Sequence, residues 1–219
     1  MDYKHPRALF AAIVASILIA GVALGACGDD DGADSGARSA AGNGIDRAFV
    51  ADMIPHHKSA VQMAEIAQRR GQSSFVKKLA DDIIRTQNTE ITAMTTVADR
   101  LDQAGVKATS LGVPEHQMGM DTDLGELRKA KPFDRAFIDM MIPHHQSAIR
   151  MARIEQAKGA DGEAQQLAGD IIAAQTREID AMNMHRVAEF GSASPAGGVP
   201  TKQEDDASKD DGAASMDHG

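Results

Sequence analysis

Aromatic residues are the scarcest class in this 219-residue chain, at 3%, with no Trp and a single tyrosine, Tyr3. Too few rings remain to build stacking platforms for bases or sugars. Cysteine is nearly missing too. Cys27 stands alone, which excludes disulfides, zinc thiolate sites, iron–sulfur clusters and a blue-copper thiolate in one step. Positive charge is in deficit, 23 Lys and Arg against 32 Asp and Glu, for a net charge of −9. Nucleic acid and anionic membrane surfaces are therefore poor electrostatic partners, whereas cations are favoured. Period-two alternation is absent and β-branched clusters are scarce, so the chain offers no strands.

What is present is a duplication. Asp46-Arg47-Ala48-Phe49-Val50-Ala51-Asp52-Met53-Ile54-Pro55-His56-His57 returns 88 residues later as Asp134-Arg135-Ala136-Phe137-Ile138-Asp139-Met140-Met141-Ile142-Pro143-His144-His145, with nine of twelve positions identical. The same displacement pairs Ser59 with Ser147, Met63 with Met151, Gln87 with Gln175, Glu90 with Glu178 and Met94 with Met182, and needs no gap. An internal repeat of this kind sets the architecture.

The ends read differently from the middle. Residues 1–26 combine Lys4 and Arg7, an apolar run and Leu24-Gly25-Ala26 before Cys27, the pattern of a bacterial lipoprotein signal. Cys27 is then the lipidated first residue of an exported protein held at the outer face of the cell membrane, its only contact with that membrane being the lipid. Residues 27–44 are Gly-, Ser-, Ala- and Asp-rich, a disordered tether too polar to bury anything. Residues 191–219 read as a disordered tail. The intervening 45–190 is one domain's worth of chain.

Each repeat, 45–103 and 133–190, carries two segments of helical periodicity. Phe49, Met53, His56/His57, Ala60, Met63 and Ala67 mark one helical face in the first, and Val76, Leu79, Ile83, Gln87, Ile91, Met94 and Leu101 mark the next. The fold class is all-α. A hairpin with one apolar stripe per helix cannot bury both stripes alone, so the two hairpins are expected to form a four-helix bundle. Its central connection, from Ala104 to Phe133, is long enough to cross the bundle in the ferritin-like manner.

The chemistry gathers at the repeated bend. Pro55 and Pro143 interrupt an otherwise continuous stripe, which predicts a kinked helix with the bend immediately before each His-His pair. Adjacent helical side chains diverge by about 100°, so one ring of each pair is expected to face the bundle and the other to flank it. Met53 and Met63, and Met141 and Met151, bracket the imidazoles on the same face. Thioether with imidazole suits Cu(I) or Ag(I) and has little affinity for hard cations. His116, Met118 and Met120 form an H-x-M-x-M run in the connection, Met182, Met184 and His185 cluster late in the last helix, and Met216 and His218 lie in the tail. Outside the signal, every histidine has a methionine within four positions. Methionine at helical spacing also serves as core filler. Gln87 and Gln175 are placed to hydrogen-bond the histidines across the core, and Glu90 and Glu178 read as solvated or capping residues.

The Met-Ile-Pro-His-His string, with the Ser-Ala, Leu-Ala, Ile-Ile, Gln and Glu-Ile positions that follow in both copies, resembles the bacterial family labelled domain of unknown function 305. The resemblance implies a ferritin-like fold and, from some members, an exported copper-binding protein tied to copper tolerance. It points to Met53, His56, His57 and Met63, and to Met141, His144, His145 and Met151, as metal ligands. His116, Met118, Met120 and His185 rest on ligand chemistry alone. A di-iron site of the ferritin-like kind needs Glu-x-x-His on a helix, which the chain lacks, so none is expected. The function expected is Cu(I) sequestration or delivery by a binder without turnover, with a copper-handling protein as possible partner. The alternatives are a histidine-dependent enzyme and a structural envelope module without metal. No nucleophile elbow or glycine-rich phosphate loop supports an enzyme.

Overall fold

The computed structural model describes residues 42–119 and 122–201. The signal, Cys27, nearly all of the tether, Met120, Met216 and His218 lie outside them. The described residues form five α-helices and no strand: α1 (Gly44–Arg70), α2 (Ser74–Gln103), the short α3 (Leu124–Lys129), α4 (Phe133–Lys158) and α5 (Gly162–Phe190), with a 3₁₀ turn at Glu115–Gln117. None of these helices is long and apolar enough to cross a membrane.

Local chemistry sets the helix ends. Asn43 caps α1 in a capping box closed by Asp46, Ser73 caps α2, and Asp161 caps α5 by accepting from the Glu163 and Ala164 amides, so each side chain satisfies amide donors that helix starts leave open. Pro55 and Pro143 both sit inside continuous helices, as the unbroken stripe requires.

Three-residue turns make α1 and α2, and α4 and α5, antiparallel. Side-chain pairs track the first hairpin from end to end: Arg47 with Asp102 at 2.7 Å, His57 with Glu90 at 2.9 Å, Gln68 with Asp81 at 2.7 Å. In the second, His145 meets Glu178 at 2.6 Å and Arg186 meets Asp139 at 2.7 Å. The hairpins then pack α1 on α4 and α2 on α5.

The first residue of the repeated motif does the joining. Asp46, fully buried, accepts from the backbone amides of Ala160 and Asp161 at 2.9 Å, in the turn of the other repeat. Asp134 returns the contact, accepting from Gln72 at 2.8 Å and Ser73 at 2.7 Å. These are equivalent positions at the 88-residue displacement, so each hairpin completes the other's turn about an approximate twofold axis.

One of the two latches carries an extra acid. Glu155 is wholly buried beside Asp46, where the first repeat has Ala67. Gly159 is required under it, since a Cβ there would collide with the Glu155 carboxyl. Burial, then the Asp46 and Asp161 carboxylates, push Glu155 up to about 9. The folded chain keeps this proton to about pH 9, while the unfolded chain releases it near the ordinary 4.5. Folded protein therefore binds more protons between those values, and stability falls as pH rises across that window. Glu155→Gln should raise the melting temperature at pH 8 by roughly 5 °C or more and leave it nearly unchanged at pH 4.5. Equal effects at both pH values in calorimetry would contradict this account.

The core has two apolar halves. One contains Met63, Met141, Phe133, Phe137 and Ile83; the other contains Met53, Met151, Phe49, Met94 and Leu101. Residues 191–201, expected to belong to a disordered tail, are instead held against the domain. Arg186, 1% exposed, donates to the Ser192 and Ala193 carbonyls, Asn183 binds Ser194 and Gly197, and Gln146 donates to the Ala196 and Gly198 carbonyls. Composition misled because fixed side-chain donors, rather than apolar burial, order this segment.

Candidate metal centre

Helices α1 and α4 cross at their His-His pairs. His56 and His144 are in ring contact, centroids 3.8 Å apart, with His57 at 6.2 Å from His56 and His145 at 6.4 Å from His144. All four imidazoles are buried. The expectation that one ring of each pair would flank the domain fails for a simple reason: α1 has a neighbour on two sides. A 100° divergence turns His56 toward α4 and His57 toward α2, so neither reaches solvent. The result is a row of four imidazoles, His57, His56, His144, His145, terminated at each end by a carboxylate.

Hydrogen bonds fix what each ring has left to offer. The Ser147 hydroxyl donates to the His144 carbonyl at 2.7 Å. Its oxygen must then accept from His56 Nε2–H, 2.8 Å away, which leaves His56 Nδ1 as a bare lone pair with no partner. His57 and His145 direct Nε2 at Glu90 and Glu178, and in both only Nδ1 lacks a partner. His144 differs, because neither of its nitrogens has a partner. Burial, together with the neighbouring imidazoles, holds both His56 and His144 well below the usual histidine range, so they stay neutral and able to donate a lone pair.

Symmetry breaks at the connection. Ser59, the counterpart of Ser147, faces Thr122 of the connection at 3.4 Å instead of His144. Gly119, at φ +68°, lies on the other copy: a Cβ there would strike Ser147 and come within 3.2 Å of His56 Nε2. The connection thus closes over His56 and leaves His144 at the edge of a cleft of about 540 Å³. His116, Met140, Pro143 and Gln146 line the same cleft.

The predicted ligands are therefore not all gathered. His56, His57, His144 and His145 form one layer. Met53, Met63, Met141 and Met151 are buried in the apolar halves of the core. His116 lines the same cleft as His144, while Met118 follows it half-buried in the same turn. His185 is not brought there: its ring stacks on Phe75 at 4.2 Å, about four helical turns, roughly 22 Å, along α2 from Glu90. Met184 is 69% exposed. Gln87 and Gln175 are buried, but Gln87 Oε1 and both Gln175 amide atoms lack partners and neither bonds a histidine.

Three participants were missed. Glu90 and Glu178 are the partners of His57 and His145, a role signalled by an identical spacing of 33 residues in each repeat. Met140 lines the cleft where the first repeat has Asp52, so a departure from the repeat was its signal. Among the described residues no three His, Asp, Glu or Cys side chains converge as a ready metal cluster. The donors that are available are imidazole and thioether, the set for soft monovalent ions.

The profile of the family called domain of unknown function (DUF305) matches residues 46–186. The chain belongs to the DUF305 family. Among solved structures, CopM in its Cu(I)-bound form is 36% identical, with a TM-score of 0.57, over 67% of this chain and 98% of CopM. CopM in its Cu(II)-bound form is 35% identical, at 0.59, over 66% and 97%, and an Ag-bound form is also known. A DUF305 fragment from Deinococcus radiodurans is 30% identical, with a TM-score of 0.55, over 64% of this chain and 94% of the fragment. No curated protein matches the chain. This DUF305 protein thus shares a helical fold with a protein that binds copper and silver.

Proposed function

We propose that this DUF305 protein is a copper-binding protein, a ferritin-like four-helix bundle tethered outside the cell membrane through lipidated Cys27, which sequesters Cu(I) or hands it on without turnover. The observation that carries this reading is His144: a buried, neutral imidazole with both nitrogens unpartnered, in ring contact with His56 and facing a cleft shared with His116 and Met140. A buried polar group left unpaired costs about 1–3 kcal/mol, a cost that a bound soft cation would remove. The same donors suit Cu(I) better than zinc or magnesium, and the likeness to CopM points the same way. His57 and His145 would act from behind, their carboxylate partners fixing ring orientation as second-layer acids do around metal-bound histidine.

The test is metal analysis after anaerobic Cu(I) loading, with Zn(II) as the control, joined to thermal melts with Ag(I). At a free Ag(I) concentration a hundred times the dissociation constant, mass action contributes about 2.7 kcal/mol, which should raise the melting temperature by roughly 5–10 °C. An unchanged melt with no retained copper would refute the reading.

A further inference from the structure

One serine hydroxyl reaches across the repeat boundary, and it does so in one copy only. We propose that Ser147 is the positioning residue of the soft-metal site: by holding His56 as the Nε2–H tautomer it makes Nδ1 the metal-binding atom, an inference that rests on the copper-binding reading. The order of donors leaves no alternative. A backbone carbonyl cannot donate, so the 2.7 Å contact with the His144 carbonyl takes the Ser147 proton, and the 2.8 Å contact with His56 runs from Nε2–H to the serine oxygen. A neutral imidazole with its proton on Nε2 keeps its lone pair on Nδ1, the nitrogen that has no protein partner.

The other tautomer offers a cation nothing. Its lone pair would lie on Nε2, against the Ser147 oxygen and beside Gly119, where a Cβ built on the glycine would stand 3.2 Å from that nitrogen and 2.3 Å from the serine oxygen. An ion has no room there. Ser147 is itself 1% exposed, so water does not compete for the bond. The same hydroxyl also ties the His56 ring to the backbone of His144, and so sets the spacing of two imidazoles whose centroids are 3.8 Å apart.

The first repeat shows that this is no by-product of the motif. Ser59 holds the equivalent position, yet its hydroxyl donates to Thr122 at 3.4 Å instead of meeting the ring of His144. His144 accordingly has neither nitrogen engaged and can bind through either. The duplicated pair is thus divided into a fixed donor, His56, and an adaptable one at the cleft, His144. An ion kept in place by the fixed ring can be released by the adaptable one, which is what handing it on requires.

The test uses the full chain in detergent with ¹⁵N-labelled histidine, Ag(I) alone as probe, and the variants Ser147→Ala, Ser147→Thr and Ser59→Ala. Ring signals of His56 are assigned by their loss in His56→Gln. Without metal, the parent should show the two His56 nitrogens at the widely separated shifts of a single tautomer, protonated on Nε2. Ser147→Ala should draw those shifts together, as a tautomer mixture does, and weaken Ag(I) binding at least tenfold, the lower end of the roughly 10–100-fold that loss of such a supporting partner costs. Ser147→Thr keeps the hydroxyl and should restore both, while Ser59→Ala should change neither. The proposal is overturned by a His56 ring that stays protonated on Nε2 in Ser147→Ala, by a tautomer mixture that binds Ag(I) as tightly as the parent, or by Ser59→Ala weakening binding as much as Ser147→Ala, which would make the effect one of helix packing. Each of those results leaves copper binding intact. A parent chain that takes up no Ag(I) removes the copper-binding reading, and this inference with it.

Discussion

Asp46→Ala should be the most destabilising single change in the domain. The carboxylate accepts from the Ala160 and Asp161 amides in the opposite hairpin and from Asn43 at its own helix start. Its removal strands buried donors, each costing about 1–3 kcal/mol. A combined loss of about 3–5 kcal/mol corresponds to a fall of roughly 8–15 °C in melting temperature. The measurement belongs at pH 6, where Glu155 keeps its proton in the folded state. Asp134→Ala removes two such bonds at the other end of the α1 and α4 pair and should cost somewhat less. The sites share no partners, so the double variant should lose about the sum. A drop of less than 3 °C for Asp46→Ala would show that apolar contact alone joins the hairpins.

His144→Leu should separate function from stability. Leucine occupies similar volume and removes two buried nitrogens that have no partner, so the metal-free protein should gain about 1 kcal/mol and melt roughly 2–4 °C higher. Cu(I) or Ag(I) affinity should fall at least a hundredfold. His145→Ala makes the contrast: its Nε2 is committed to Glu178, and removal of such a supporting ring typically weakens metal binding by about 10–100-fold while leaving Glu178 without its partner. Competition titration and melting on the two variants read both effects. A His144→Leu protein that binds as tightly as the parent would remove this residue from the site.

The helical class was legible because it rests on signals written in order along the chain: apolar spacing and caps. The repeat also carried more than was read from it. Asp46 and Asp134 open the duplicated motif, yet a carboxylate at a helix start looks like a cap, and only the antiparallel crossing of α1 and α4 brings each to the far turn. Glu90 and Glu178 look solvated when α2 and α5 are viewed alone. The site itself was half legible. Its histidines were evident, but which ring keeps free lone pairs depends on Ser147, on Gly119 and on the side to which the connection falls, none of which periodicity records. Met140, Gln146 and Arg186 were visible only as departures of the second copy from the first.

The reciprocal latches have a consequence for what the duplication means. Neither hairpin is a finished unit, since two backbone amides in the turn of each are satisfied by a carboxylate from the other. The arrangement is that of a two-protomer assembly with an isologous interface, whose halves happen to be covalently joined. The long connection then stands in for concentration: it keeps two subunits permanently associated, and it helps to mark one of two related halves as the front.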